Sequence, residues 1–145
     1  MSLLWQLKRQ LRDLENPRTL HDLHNIAGRA THEYVMDGFA REQDPYGRPW
    51  APTKRQNPIL QDTLALRDGI RWKADSRGVV IQTTGRANAY AAFHQHGTRA
   101  SGRGGRGAGL PARRFLPEPG ELPPQLAARL QNDFRAHLRQ RYGAS

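Results

Sequence analysis

Residues 69–84, GIRWKADSRGVVIQTT, hold the clearest strand signal in the chain. Ile70, Trp72 and Ala74 alternate with Arg71 and Lys73, the period of two expected of a strand with one buried face. Asp75-Ser76-Arg77-Gly78 carries turn chemistry, and Val79 to Thr84 returns as the second strand. The segments on either side have helical spacing, so this hairpin supplies most of whatever sheet the protein has.

Working towards the N-terminus, Leu60, Leu64 and Leu66 lead into the hairpin, and residues 44–58 hold four prolines and a glycine, which excludes regular structure there. Tyr46 and Trp50 are expected to pin this loop onto the domain. A long helix is predicted from Thr19 to about Gln43, with Asp22 completing an approximate capping box. Its apolar face is Leu20, Leu23, Ile26, Ala27, Ala30, Tyr34 and Met36 to Phe39. Gly28 is either a weak point in that helix or a place where another part of the chain comes close. Asn16-Pro17 separates it from a shorter amphipathic helix over residues 3–15, with Ser2 available as N-cap, in which Leu4, Leu7, Leu11 and Leu14 repeat at helical spacing. Two heptads of leucine are marginal alone, so this arm must pack on its own domain or on a neighbouring copy.

Towards the C-terminus, Ala87 to His96 reads as a short helix with Gly97 as its left-handed cap. A glycine- and arginine-rich loop, residues 97–110, follows. Half of the glycines and prolines, 12 of 24, lie between Gly97 and Pro124. Arg113 to Leu116 is predicted as a short strand. Pro123-Pro124 suits the first turn of a last helix carrying Leu126, Leu130, Phe134 and Leu138 and ending at Gly143. The fold class is therefore α+β: a small antiparallel sheet (the hairpin at about 69–84 plus a short strand near 113–116) packed by a long N-terminal helix and a C-terminal helix. Residues 1–16 form an N-terminal arm and 17–145 a single domain with a flexible loop at 97–110.

The 145 residues suffice for one domain that buries roughly 68–70% of its unfolded surface. There is no cysteine, which excludes disulfides and cysteine-based zinc sites and suits a reducing cytoplasm. No apolar run approaches the ~20 residues of a membrane span, and Lys8, Arg9, Arg12 and Asp13 interrupt the N-terminus where a signal peptide stays apolar. The formal net charge is +10, and Arg77, Arg86, Arg99, Arg103, Arg106, Arg113 and Arg114 fall between Ser76 and Pro117 with no acid among them. Arginine suits bidentate contact to phosphate, though a solvated basic face is the other reading of such a segment.

Catalytic signatures are lacking: there is no GxSxG, P-loop, HExxH, or GxGxxG after a strand. His94 and His96 would share a face on a strand but not on the helix their neighbours favour, and no third ligand is near. His21 and His24, one helical turn apart, read as packed or solvated residues. RASGRGGRG, residues 99–107, resembles RGG segments that bind nucleic acid without sequence preference, and equally fits a surface insertion or a clasp that orders on assembly.

Four motifs follow one another along the chain. Phe39-Ala40-Arg41-Glu42-Gln43 runs into Asp44-Pro45-Tyr46-Gly47-Arg48-Pro49-Trp50-Ala51-Pro52. Leu60, Leu64, Leu66-Arg67 and Ile70 follow, then Tyr90 to Gly97 (YAAFHQHG), then Leu110 to Leu116 (LPARRFL). Over residues 19–140 this order resembles the virion morphogenesis, or tail-completion, proteins of Mu-like and other long-tailed bacteriophages. Arg114 stands where that family often has proline, and Gln61 to Leu66 lacks its usual glycine. The resemblance implies a non-enzymatic virion protein without cofactors or metal, assembled in the bacterial host cytoplasm, that completes the head-proximal end of the tail or forms a neck ring. It implies a homo-oligomer, commonly hexameric, contacting the tail tube and the head–tail connector around a channel for double-stranded DNA. On this reading Arg99, Arg103, Arg106, Arg113 and Arg114 face the DNA or the next subunit, and Trp5, Tyr46 and Trp50 anchor interfaces. The alternative is a free-standing DNA-binding protein without sequence preference.

Overall fold

A computed structural model describes residues 3–53, 65–98 and 109–143. Its elements are α1 (Leu3–Leu14), α2 (Pro17–Arg41), α3 (Ala65–Asp68), β1 (Ile70–Ala74), β2 (Val79–Thr83), a 3-10 turn at Gly85–Ala89, α4 (Ala91–His96) and α5 (Pro124–Tyr142). The α+β class holds. Ser2, Leu60 and Leu64 lie outside the described residues.

β1 and β2 pair antiparallel with Ile70 opposite Thr83 and Trp72 opposite Ile81. At the turn the Asp75 carboxylate accepts the N–H groups of Arg77 and Gly78 at 2.7 and 3.1 Å. These backbone bonds hold its pKa below the usual carboxylate value. The inner face of the hairpin lies on α2, and Gly28 is the point of contact. A Cβ built there would stand 2.2 Å from a ring carbon of Trp72. The visitor is thus an indole, which lies flush against the helix because the glycine has no side chain.

α2 begins two residues before Thr19. Asn16 is its cap, accepting the Arg18 N–H at 2.9 Å, and Pro17 occupies the first helical position, where its missing donor costs nothing. One Asn-Pro pair thereby ends α1 and starts α2. At the other end Glu42 adopts left-handed φ 54, ψ 44, stopping the helix at Arg41. α5 runs antiparallel along α2, shown by ion pairs of Glu33 with Arg129 and, further towards the start of α2, of Asp22 with Arg141. Pro123 caps α5 and Pro124 opens it.

The core is Val35, Phe39, Trp50, Leu66, Ile70, Ala87 and Phe115. Phe39 is fully buried, edge-on to Trp50 with ring centroids 5.3 Å apart and tilted to Phe115 at 5.8 Å. Among the described residues the sheet has two strands; Arg113 to Leu116 is extended but joins no ladder. The helix expected over Ala87 to His96 is broken at Tyr90 into the 3-10 turn and α4. Gly97 has positive φ, 74°, but ψ 176°, so it is not a left-handed cap.

An alanine replacing a mid-helix glycine usually gains about 0.5–1 kcal/mol. At Gly28 the sign reverses. Gly28→Ala must displace the Trp72 ring, at an overpacking cost of about 1–3 kcal/mol, read as a lowered midpoint in thermal unfolding followed by circular dichroism.

Candidate functional site

The motif segment 42–50 folds into a closed loop that delivers one aromatic ring. The Asp44 carboxylate accepts the N–H groups of Tyr46 and Arg48 at 2.8 and 2.9 Å, and the Asp44 N–H reaches the Arg48 carbonyl at 2.8 Å. Gly47, at φ 87°, makes the reversal that a side chain would oppose. Gln43 then bridges Pro49, and the Trp50 N–H donates to the Glu42 carbonyl at 2.8 Å. Trp50 is driven into the core beside Phe39, with its indole N–H satisfied by the Arg114 carbonyl at 2.7 Å. It anchors its own domain, not a partner surface. Tyr46 is half-buried, and its hydroxyl accepts from the Glu118 N–H at 2.9 Å and donates to the Glu121 carbonyl at 2.8 Å.

The segment predicted as a third strand is held by side chains. Buried Gln95 accepts the N–H groups of Phe115 and Leu116 at 3.0 and 3.1 Å and donates to the Leu116 carbonyl at 2.8 Å. It behaves as a detached peptide group doing the work of a neighbouring strand. The Arg113 N–H donates to the His94 carbonyl at 2.7 Å. The Arg113 guanidinium turns inward, donating to the carbonyls of Ala51 and Pro52 at 2.8 and 3.0 Å. Arg113 is therefore a staple between segments, not a free cation. Arg114 pairs with Glu118 at 3.2 Å and remains partly exposed. Arg99, Arg103 and Arg106 lie outside the described residues.

A clasp closes the described ends of the glycine- and arginine-rich stretch. The Thr98 N–H donates to the Leu110 carbonyl at 2.9 Å, and the Leu110 N–H donates to the Thr98 hydroxyl at 2.8 Å. Gly97 permits this approach: a Cβ there would meet the Leu110 carbonyl oxygen at 2.8 Å and the Ala112 nitrogen at 2.9 Å.

α1 contrasts with all of this. Leu3, Leu4, Leu7 and Leu11 are 82, 59, 50 and 54% exposed and Trp5 is 47% exposed, with the Arg9 guanidinium over its ring at 5.7 Å. Of the expected interface anchors, Trp5 alone presents most of its surroundings outward. Charge is also uneven. Residues 3–53 carry seven Lys or Arg against seven Asp or Glu, whereas 65–98 carry five against two and 109–143 six against three. Arg71 and Lys73 stand on the outer face of the hairpin, which strand alternation could have indicated.

The groove between α2 and α5 places Glu33 and Asp133 against Arg129 as ion pairs. Among the described residues no cluster of three or more His, Cys, Asp or Glu could hold a metal ion. His94 and His96 sit on a helix, His94 half-buried and His96 exposed. No helix is long and apolar enough to cross a membrane among the described residues.

A family model described as the phage virion morphogenesis family matches residues 4–139. Comparison with curated proteins and with solved structures yields no match.

Gln95→Leu keeps the buried shape but strands two N–H groups and one carbonyl; a loss of about 3 kcal/mol is expected at roughly 1–3 kcal/mol per unsatisfied group, measured by urea unfolding. A second expectation concerns pH. Burial first, and the Arg113 charge second, hold the His94 pKa below 6.5. The unfolded chain then binds more protons than the native one just below that value, so stability is full above pH 6.5 and declines as the pH falls beneath it. His94→Gln should flatten this part of the stability–pH curve.

Proposed function

The chain belongs to the phage virion morphogenesis family, and from that premise we propose that it completes the head-proximal end of the tail, or forms a neck ring where head and tail join, as a homo-oligomeric ring around the DNA channel. The family supports a structural, virion-associated role. The observation that carries the finer reading is α1. It is a helix of 12 residues with a leucine stripe turned to solvent. Isolated helices of this length are marginal in water, and a contiguous apolar stripe of this kind marks an interaction site. A ring needs one patch of each subunit to meet a different patch on the next; the α1 stripe is such a patch.

The tail tube and the connector are the other partners in this reading, and double-stranded DNA passes through the lumen. Phosphate contact without base readout suits a channel that must pass any sequence. Of the five arginines, Arg113 is engaged by backbone carbonyls; the candidates on this reading are Arg99, Arg103, Arg106 and the partly exposed Arg114. A free-standing DNA-binding protein remains the competing reading, favoured by the net charge of +10. It would bind DNA as a monomer or dimer with affinity falling steeply as salt rises, whereas a ring component gains mass with tail or connector proteins.

The test is a full-length Leu4→Ser/Leu7→Ser/Leu11→Ser variant. Its thermal unfolding should match that of the parent protein, because these side chains are already exposed, while complementation of a phage lacking the protein should fail. Electron microscopy of that lysate should show separate heads and tails. Normal yields of infectious particles, or turnover of a substrate by the purified chain, would refute the proposal.

A further inference from the structure

The rest of the fold treats the two edges of the hairpin differently. The bonds from the Asp75 N–H to the Gly78 carbonyl and from the Thr84 N–H to the Gly69 carbonyl fix the alternation of the ladder. Arg71 with Gln82 and Lys73 with Val80 are then the hydrogen-bonded pairs. Ile70, Trp72 and Ala74 consequently turn their backbone groups to the β1 edge, and Val79, Ile81 and Thr83 turn theirs to the β2 edge. α2 guards the first edge: His32 Nε2 lies 3.3 Å from the Ile70 carbonyl, and His24 Nδ1 lies 2.7 Å from the Asp75 carbonyl at the turn. On the second edge none of the outward N–H and C=O groups of Val79, Ile81 and Thr83 has a partner among the described residues.

Proteins blunt a free edge with charge, proline, a bulge or a covering segment. β2, Val79-Val80-Ile81-Gln82-Thr83, has no charge and no proline, and its register is regular over all five pairs. Val80 is 57% exposed. We propose that in the free protein this edge is closed by β2 of a second copy, antiparallel and centred on Ile81. That centring sets Val79 opposite Thr83 and Val80 opposite Gln82 of the second copy, and lets the three outward-turned residues of each strand bond to those of the other. No charged side chains meet across the seam. Arg71 and Lys73 stand one strand further in on each side, three strand spacings or about 14 Å from their counterparts, beyond the roughly 8 Å screening length at physiological salt. A two-stranded sheet, marginal by itself, becomes four-stranded.

The contact is two-fold, so both copies use the same patch. A ring with a head side and a tail side has no place for it. The pair is the form of the free subunit and parts when the subunit is built into a particle; the inference therefore stands apart from the ring reading and fails separately from it.

Native mass spectrometry and amide hydrogen exchange on the full chain test the pairing. The expected result is a dimer that grows with concentration, in which Val79, Ile81 and Thr83 amides exchange slowly and lose that protection on dilution. Val80→Lys, which places a charge on the seam, should give monomer with the three amides unprotected and an unchanged circular dichroism spectrum. Val79→Pro removes an outward donor without breaking a β1–β2 bond and should do the same. A wild-type chain that stays monomeric overturns the proposal, as does a dimer that survives Val80→Lys or leaves the three amides fast. Protection that appears only on adding other virion proteins assigns the edge to them and overturns it too.

Discussion

Phe39 sits where α2 ends, without exposed surface, between the rings of Trp50 and Phe115. Truncating a phenylalanine so placed costs about 3–5 kcal/mol as a rule, against a total of about 5–15 kcal/mol for a domain. Each of the two flanking rings comes from an irregular segment, so neither is held by a helix or a ladder. The closed loop 42–50 exists to bring Trp50 in, and the Gln95 clamp exists to hold Phe115 there. The hairpin joins the same cluster through Ile70.

Burying rings from irregular segments exposes a polar problem: their backbone groups have no ladder to join, and an unsatisfied one costs about 1–3 kcal/mol. Side chains solve it. Gln95 serves three groups around Leu116, the Trp50 indole serves the Arg114 carbonyl, and the Tyr46 hydroxyl serves residues 118 and 121. Arg113 belongs to this set, since its guanidinium serves two carbonyls of the segment after Trp50. A count of basic residues overstates what the surface can offer to phosphate, because some arginines are employed as scaffolding.

What could be read from the sequence followed periodicity. The hairpin, α2, α5 and the leucine stripe of α1 each repeat at the spacing of their element, and each is where the spacing put it. Boundaries and substitutes were harder. Asn16-Pro17 looked like a break alone, because a proline that ends one helix and one that opens the next look alike in sequence; the Asn16 side chain decides it. Arg113 to Leu116 reads as a strand in sequence, yet the bonding partner of Phe115 and Leu116 is a glutamine some 20 residues earlier. Nothing local announces that pairing. Gly28 advertised a close approach without saying that an indole was the visitor. Trp50 stands in a proline-rich stretch whose loop character is legible, but its destination depends on Phe39 at the end of α2 and on the Arg114 carbonyl, 64 residues further along the chain.

The clasp of Thr98 and Leu110 has a bearing on how such a protein diversifies. The described ends of that stretch, Gly97–Thr98 and Leu110–Arg113, are bonded to each other and to α4. The hydrogen bonds of the clasp itself use only groups of Thr98 and Leu110. Connections between ordered elements are where related proteins tolerate insertions, deletions and changes of charge, and the sequence between these two ends is also among the most basic in the chain. A clasp that closes on its own two ends is a fixed frame within which a lineage could vary such a sequence, one arginine or one glycine at a time.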